Sequence, residues 1–152
     1  MVGHSSHLLA QLAVASAMTT LTVMVHLLGL AILVRLLKLR QEPRPPRRMT
    51  PLMLLLAGTL GLFATHTVEI WLYAALYVVL GDGFDFETAL YFSTVTYASV
   101  GYGDVLPPLE WRLVAAIEGA TGIIMLGWST AFLVSLLARL RLLSHDWLTP
   151  QR

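Results

Sequence analysis

The sequence predicts an all-α membrane protein: three transmembrane helices, plus a short helix that enters the membrane without crossing it. Three observations carry this. Hydrophobic residues make up 57% of the 152 and charged residues only 12%, with a mean hydropathy of +0.72. That is the composition of a membrane protein. Three apolar runs, residues 8–34, 52–80 and 111–143, each exceed the ~20 residues that cross a hydrocarbon core. Between the last two lies an acidic stretch, 81–110, with a short apolar segment followed by two glycines two apart, Gly101 and Gly103. There is no cysteine, which excludes a disulfide framework, a thiolate metal site and a cysteine nucleophile. A net charge of +1 gives no reason to expect a nucleic-acid partner.

The first run carries no formal charge. A cleaved signal peptide needs a basic segment before its apolar core, and residues 1–7 contain no Lys or Arg. Residues 1–37 are therefore expected to be a retained helix with its N-terminus outside. Gln11 and His26 within it are expected to hydrogen-bond to a neighbouring helix. Residues 38–51 form a basic connector in which Pro43, Pro45, Pro46 and Pro51 prevent continuous helix. The positive-inside rule makes it cytoplasmic.

The second run, 52–80, is expected to lead outward. Gly58 and Gly61 suit close helix approach. His66 and Glu69, three apart, share one helical face. Ionisable groups inside a membrane are costly and usually have partners, so a structural polar contact is expected. A metal would want more ligands than these two supply. Gly81, Asp82 and Gly83 end the helix. Asp85 is placed to cap a short helix over 86–97, too short to span and hence re-entrant. The last run, 111–143, returns inward with Trp111 and Arg112 at the outer interface and Arg139 and Arg141 at the inner one. Nine of the ten Lys and Arg residues then fall inside, with only Arg112 outside. Residues 144–152 are a short polar tail, expected to leave no room for a ligand-binding domain. No span carries an arginine ladder, so no voltage sensor is expected.

The rest of the chain is arranged around Ser99-Val100-Gly101-Tyr102-Gly103-Asp104. Glycines two apart allow positive φ at alternate positions, so successive carbonyls can be aimed to one side. Non-helical backbone at membrane depth is tolerated only when buried in protein or lining a water-filled path. This stretch resembles the selectivity filter of the potassium-channel pore family, usually Thr-Val-Gly-Tyr-Gly. Residues 89–98, Ala-Leu-Tyr-Phe-Ser-Thr-Val-Thr-Tyr-Ala, resemble the family's pore helix. The similarity continues through 111–137 and covers roughly residues 52–140.

The resemblance implies a bacterial channel with a two-helix pore domain at 52–143 and one extra N-terminal helix. Four copies would be needed to close a ring, so a homotetramer is expected in the cell (inner) membrane, with its C-terminus cytoplasmic. Rings of carbonyl oxygens would replace the hydration shell of potassium. The implied ligands are the carbonyls of Ser99, Val100, Gly101 and Tyr102, with Gly103 at the outer mouth. The Ser99 hydroxyl would complete the innermost site. No metal other than this transported K+, and no cofactor, is expected; membrane lipids are the remaining partners. Ser99 stands where threonine is usual and Ala98 also replaces a common threonine, which motivates a second reading, a weakly selective cation channel. A third is a non-conducting regulatory subunit. Tyr102 would point outward and brace the filter against its pore helix. Asp104 would bond the Tyr91 hydroxyl. Val95 sits where some relatives carry a buried glutamate. Gly122 matches the gating-hinge glycine, and close packing accounts for it equally. Ile123, Leu126, Thr130 and Val134 would line the cavity, their spacing of three or four being that of one helix face.

Glu118, five residues before Ile123, lies about 140° round the helix from it at ~100° per residue. It should face the pore helix or the second span. Tyr97, Thr96 and His66 are its candidate donors, and it is either a fixed strut or a proton-sensitive one. Gly127-Trp128-Ser129 lacks the second glycine and the strand-turn-helix setting of a nucleophile elbow, so the chain is not read as an enzyme.

Overall fold

The computed structural model describes residues 2–37, 50–80 and 84–140. Most of the connector expected at 38–51, the break at Gly81-Asp82-Gly83, the tail at 144–152 and residues 141–143 of the last helix lie outside the described residues. Four α-helices result: α1 (Val2–Leu36), α2 (Pro51–Leu80), α3 (Phe86–Tyr97) and α4 (Arg112–Arg139). Three segments, His7–Leu36, Pro51–Leu80 and Leu109–Arg139, are long and apolar enough to cross a membrane.

Local chemistry sets the boundaries. Pro51 begins α2, where its missing N–H costs nothing, and the Thr50 hydroxyl accepts from the Met53 N–H at 3.3 Å. Asp85 caps α3 by accepting from the Thr88 N–H at 2.8 Å. That bond holds its carboxyl below the usual carboxylate range. A single 3-10 turn, Leu109–Trp111, precedes α4.

Leu37, Leu54 and Leu136 form one apolar cluster. It joins the end of α1, the start of α2 and the end of α4, so α1 and α4 run parallel and α2 antiparallel to both. The larger cluster, built on Tyr73, Ala74, Tyr77, Ala89, Phe92, Tyr97, Ala115 and Met125, packs α3 between α2 and α4. The α1 helix lies against α2 and α4. A Cβ on Gly61 would stand 2.2 Å from Leu33 of α1, and one on Gly58 would stand 2.8 Å from Leu136 of α4. The two small residues thus set separate helix contacts.

Twelve residues at 1.5 Å rise make α3 about 18 Å long, half a membrane. Its last residue, Tyr97, reaches Glu69 near the middle of α2. The helix is therefore re-entrant.

Candidate functional site

The end of α3 is a common cap built on an uncommon residue. The Val100 N–H donates to Val95 O at 2.8 Å and the Ser99 N–H to Thr96 O at 2.9 Å. These are the 6→1 and 5→2 bonds of a Schellman motif. The motif needs a left-handed residue, usually glycine, just beyond the helix. Here it is Ser99, with φ 57°. Gly101 follows at φ 54° and Gly103 at φ 77°. Positive φ thus alternates over three positions, one more than the glycines reveal. The Gly101 N–H also donates to Val95 O, at 3.1 Å, so the strand-like stretch hangs from the helix end.

Residues 98–104 are all exposed in the single chain. The Ser99 hydroxyl donates to Gly119 O of α4 at 3.3 Å, which leaves its oxygen lone pairs available. Tyr102 is 72% exposed. One chain covers only one side of this stretch, and the Tyr102 ring lies on the uncovered side. The Tyr91 hydroxyl donates to Asp104 Oδ2 at 2.7 Å. Asp104 Oδ1 accepts from the Val105 N–H, which locks the outer end. Val95, Gly101, Gly103 and Arg112 are among the residues lining a cavity of about 250 Å³ behind the stretch, and no carboxylate lines it.

On α4, Ile123, Leu126, Thr130 and Val134 are exposed. They form a face that the chain's own helices leave bare. Gly122 is not on it. It is buried, and a Cβ there would lie 2.0 Å from Tyr97 O. Of the two accounts of this glycine, packing is the one with a contact behind it.

Glu118 is fully buried and faces α2 and α3. Its donors are the Tyr77 hydroxyl and the Ser93 hydroxyl, each at 2.6 Å, rather than Tyr97, Thr96 or His66. Depth explains the correction. Glu118 is six residues into α4, level with Tyr77 three residues from the outer end of α2. Tyr97 and His66 lie deeper and serve Glu69. There the Tyr97 hydroxyl donates to Glu69 Oε2. His66 Nδ1 is 2.8 Å from the same oxygen, and His26 Nδ1 of α1 is 3.0 Å from Oε1. His66 Nε2 meets the Ser129 hydroxyl of α4 at 2.8 Å. The polar contact expected of His66 and Glu69 thus ties together all four helices. Gln11, expected to bond to a neighbouring helix, makes no such bond among the described residues; it lines a surface cavity with His7, Leu8, Leu109 and Glu110.

The frame is two spans flanking a re-entrant helix and an exposed, alternating backbone stretch. Residues 51–139 match the family described as Ion channel. The chain belongs to this ion-channel family. No curated protein and no solved structure matches it. As an ion channel it is a multi-pass membrane protein that conducts passively. The matched region runs from α2 to α4, and α1 lies outside it.

Proposed function

We propose that this channel is potassium-selective and works as a homotetramer. The ion ligands are the carbonyls of Ser99, Val100, Gly101 and Tyr102, with Gly103 at the outer mouth. The observation that carries the reading is the alternation of positive φ at Ser99, Gly101 and Gly103. Alternating hand turns successive carbonyls toward one side, and rings of such oxygens substitute for potassium's water shell. The tetramer is supported by exposure. Val100 is 53% and Tyr102 72% exposed, on backbone that a membrane protein must cover or wet. Three further copies around an axis cover the outer side of the stretch and leave the inner side to water and ions. The bare face of Ile123, Leu126, Thr130 and Val134 then lines the cavity below.

The orientation in this proposal is N-terminus outside, with the connector and C-terminus cytoplasmic in the cell membrane. It rests on the charge asymmetry of the loops. Because the chain has no native thiol, single cysteines at Ser5 and Arg47 test it. Labelling from opposite sides is expected, and labelling of both from one side refutes three spans.

Flux from liposomes in potassium against sodium tests selectivity. Potassium flux well above sodium flux is expected, and Gly101→Ala is expected to abolish it. A Cβ meets nothing within 4 Å there, so the loss comes from the left-handed backbone, at ~1–2 kcal/mol per chain. Comparable sodium flux in the parent gives a weakly selective channel, and no flux of either ion a non-conducting subunit.

A further inference from the structure

Apart from the filter, the densest group of ligand-forming side chains among the described residues lies where α1 meets the pore domain. His26, His66 and Glu69 each bring one ligand atom within 4.8 Å of the others. We propose that these three residues bind a divalent transition-metal ion of the zinc class, which fastens α1 to the pore domain beneath the filter.

The donor set is two imidazoles and one carboxylate. That is a recognised zinc set, usually with one further position filled by water or another oxygen. At about 2.0–2.2 Å per bond, ligands of one ion stand no more than ~4.4 Å apart. His26 Nδ1 and His66 Nδ1 stand 3.0 Å and 2.8 Å from the Glu69 oxygens, inside that limit. The three ligand atoms together lie within 4.8 Å of one another, so the ion draws the rings in only where that spread exceeds the limit. His66 and Glu69 are three apart on α2 and project from one face. The third ligand comes from α1, which supplies what two residues of one helix lacked.

Two observations beyond proximity point to an ion. First, His26 is fully buried and its Nε2 has no hydrogen-bond partner. Its one engaged nitrogen, Nδ1, is the one that faces Glu69, so no competing bond holds the ring away from an ion at that position. Second, two of the three proposed ligands, His66 and Glu69, already have the outer partners that metal-bound residues carry. His66 Nε2 meets Ser129 Oγ at 2.8 Å, which fixes the ring and leaves Nδ1 toward the centre. The Tyr97 hydroxyl orients Glu69. Glu69 is fully buried in a membrane-spanning helix, and its partners are two histidines and a tyrosine, with no Lys or Arg among them. A carboxylate in that setting needs a compensating charge, which a dication supplies. With imidazole and carboxylate ligands and no thiolate in the chain, zinc is favoured over softer ions.

Tyr97 lies two residues before Ser99, and Ser129 lies on the helix bearing the cavity face. The ion would therefore touch α1 and α2 directly, and α3 and α4 through one hydrogen bond each.

The test uses the full chain with His4, His7 and His145 replaced by Ala, which leaves two of its five histidines to bind metal. The tag is removed, the protein is stripped with chelator, then equilibrated with Zn2+ and desalted. One zinc per chain is expected by elemental analysis, with a raised unfolding temperature. His26→Gln is expected to lose the zinc and the temperature shift, and Ser129→Ala to weaken binding about 10–100-fold, as loss of an outer partner does. No zinc above the buffer level, or equal zinc in His26→Gln, overturns the proposal. Should His26→Gln fail to assemble, Co2+ added to the parent decides: a visible ligand-field spectrum with nitrogen ligation supports the site, and its absence overturns it.

Discussion

Gly122 packs directly on the carbonyl of Tyr97, the last residue of the pore helix. A methyl added at Gly122 would stand 2.0 Å from that oxygen and 2.8 Å from its carbon. These are backbone atoms and cannot swing aside. Gly122→Ala is expected to push α4 off the pore helix and cost about 1–3 kcal/mol, the usual range for overpacking. Gly127 on the same helix has nothing within 4 Å. Gly127→Ala should hold stability or gain up to ~1 kcal/mol from helix propensity. Thermal unfolding of both variants is the check. Equal losses would remove packing as the reason for Gly122.

Ser99 occupies a backbone position that glycine holds at ~1–2 kcal/mol less cost. Ser99→Gly is expected to keep or raise thermal stability, since the bond it gives up, to Gly119 O, is long at 3.3 Å. Ser99→Ala keeps the strain and loses the hydroxyl. If the proposed potassium-selective reading holds, it should lose potassium density at the inner end of the filter. Unchanged density there would strike the hydroxyl from the ligands.

The Tyr91–Asp104 bond should be indifferent to pH across the neutral range. The tyrosine hydroxyl holds Asp104 below its ordinary 3.8. The carboxylate in turn holds Tyr91 above its ordinary 10.0. A lowered carboxyl pKa contributes stability above the unfolded value, and the contribution is lost as pH falls through the folded one. A raised tyrosine pKa contributes below the unfolded value and fails as pH rises through the folded one. The bond is therefore intact from about pH 4 to about pH 10. The stability gap between the parent and Tyr91→Phe should be small, because both groups are exposed. It should be flat from about pH 5 to pH 9 and close below about pH 4. A gap that changes near neutrality would mean another group titrates with the pair.

Much of this arrangement was legible in the sequence, for local reasons. Apolar length marks the spans, Asp85 marks the start of α3, and Gly101 and Gly103 mark two of the three left-handed positions. The third was hidden because Ser99 is not a residue that advertises positive φ; only the hydrogen bonds to Val95 and Thr96 reveal it. Helix partners were hidden for a different reason. Periodicity puts His66 and Glu69 on one face and turns Glu118 from the cavity. It does not give the rotation of α1 that brings His26 to Glu69. Nor does it give the relative depth of α2 and α4 that pairs Tyr77 with Glu118. Periodicity does not place Tyr102 either, whose ring is exposed in the single chain.

Glu118 gives the sharpest test of how the last helix is held. Its two oxygens accept from Tyr77 on α2 and Ser93 on α3, each at 2.6 Å, in full burial. Removing the carboxyl by Glu118→Ala does not strand both donors equally. Ser93 Oγ also lies 3.0 Å from Ile70 O, so it keeps an acceptor. Tyr77 does not, and an unsatisfied buried hydroxyl costs about 1–3 kcal/mol. The cavity left by the side chain adds to that. Glu118→Ala should therefore cost more than Ser93→Ala, and Tyr77→Phe combined with Glu118→Ala should cost less than the sum of the two, as coupled neighbours do. Glu118→Gln keeps one acceptor oxygen and nearly the same shape but does not titrate. Flux measured against pH in the parent and in Glu118→Gln then separates the two roles. Matching profiles with preserved stability make Glu118 a fixed strut between α4, the pore helix and α2. A pH dependence present in the parent and absent in Glu118→Gln makes it the proton-sensitive one. Unaltered flux and thermal stability in Glu118→Ala would reject both.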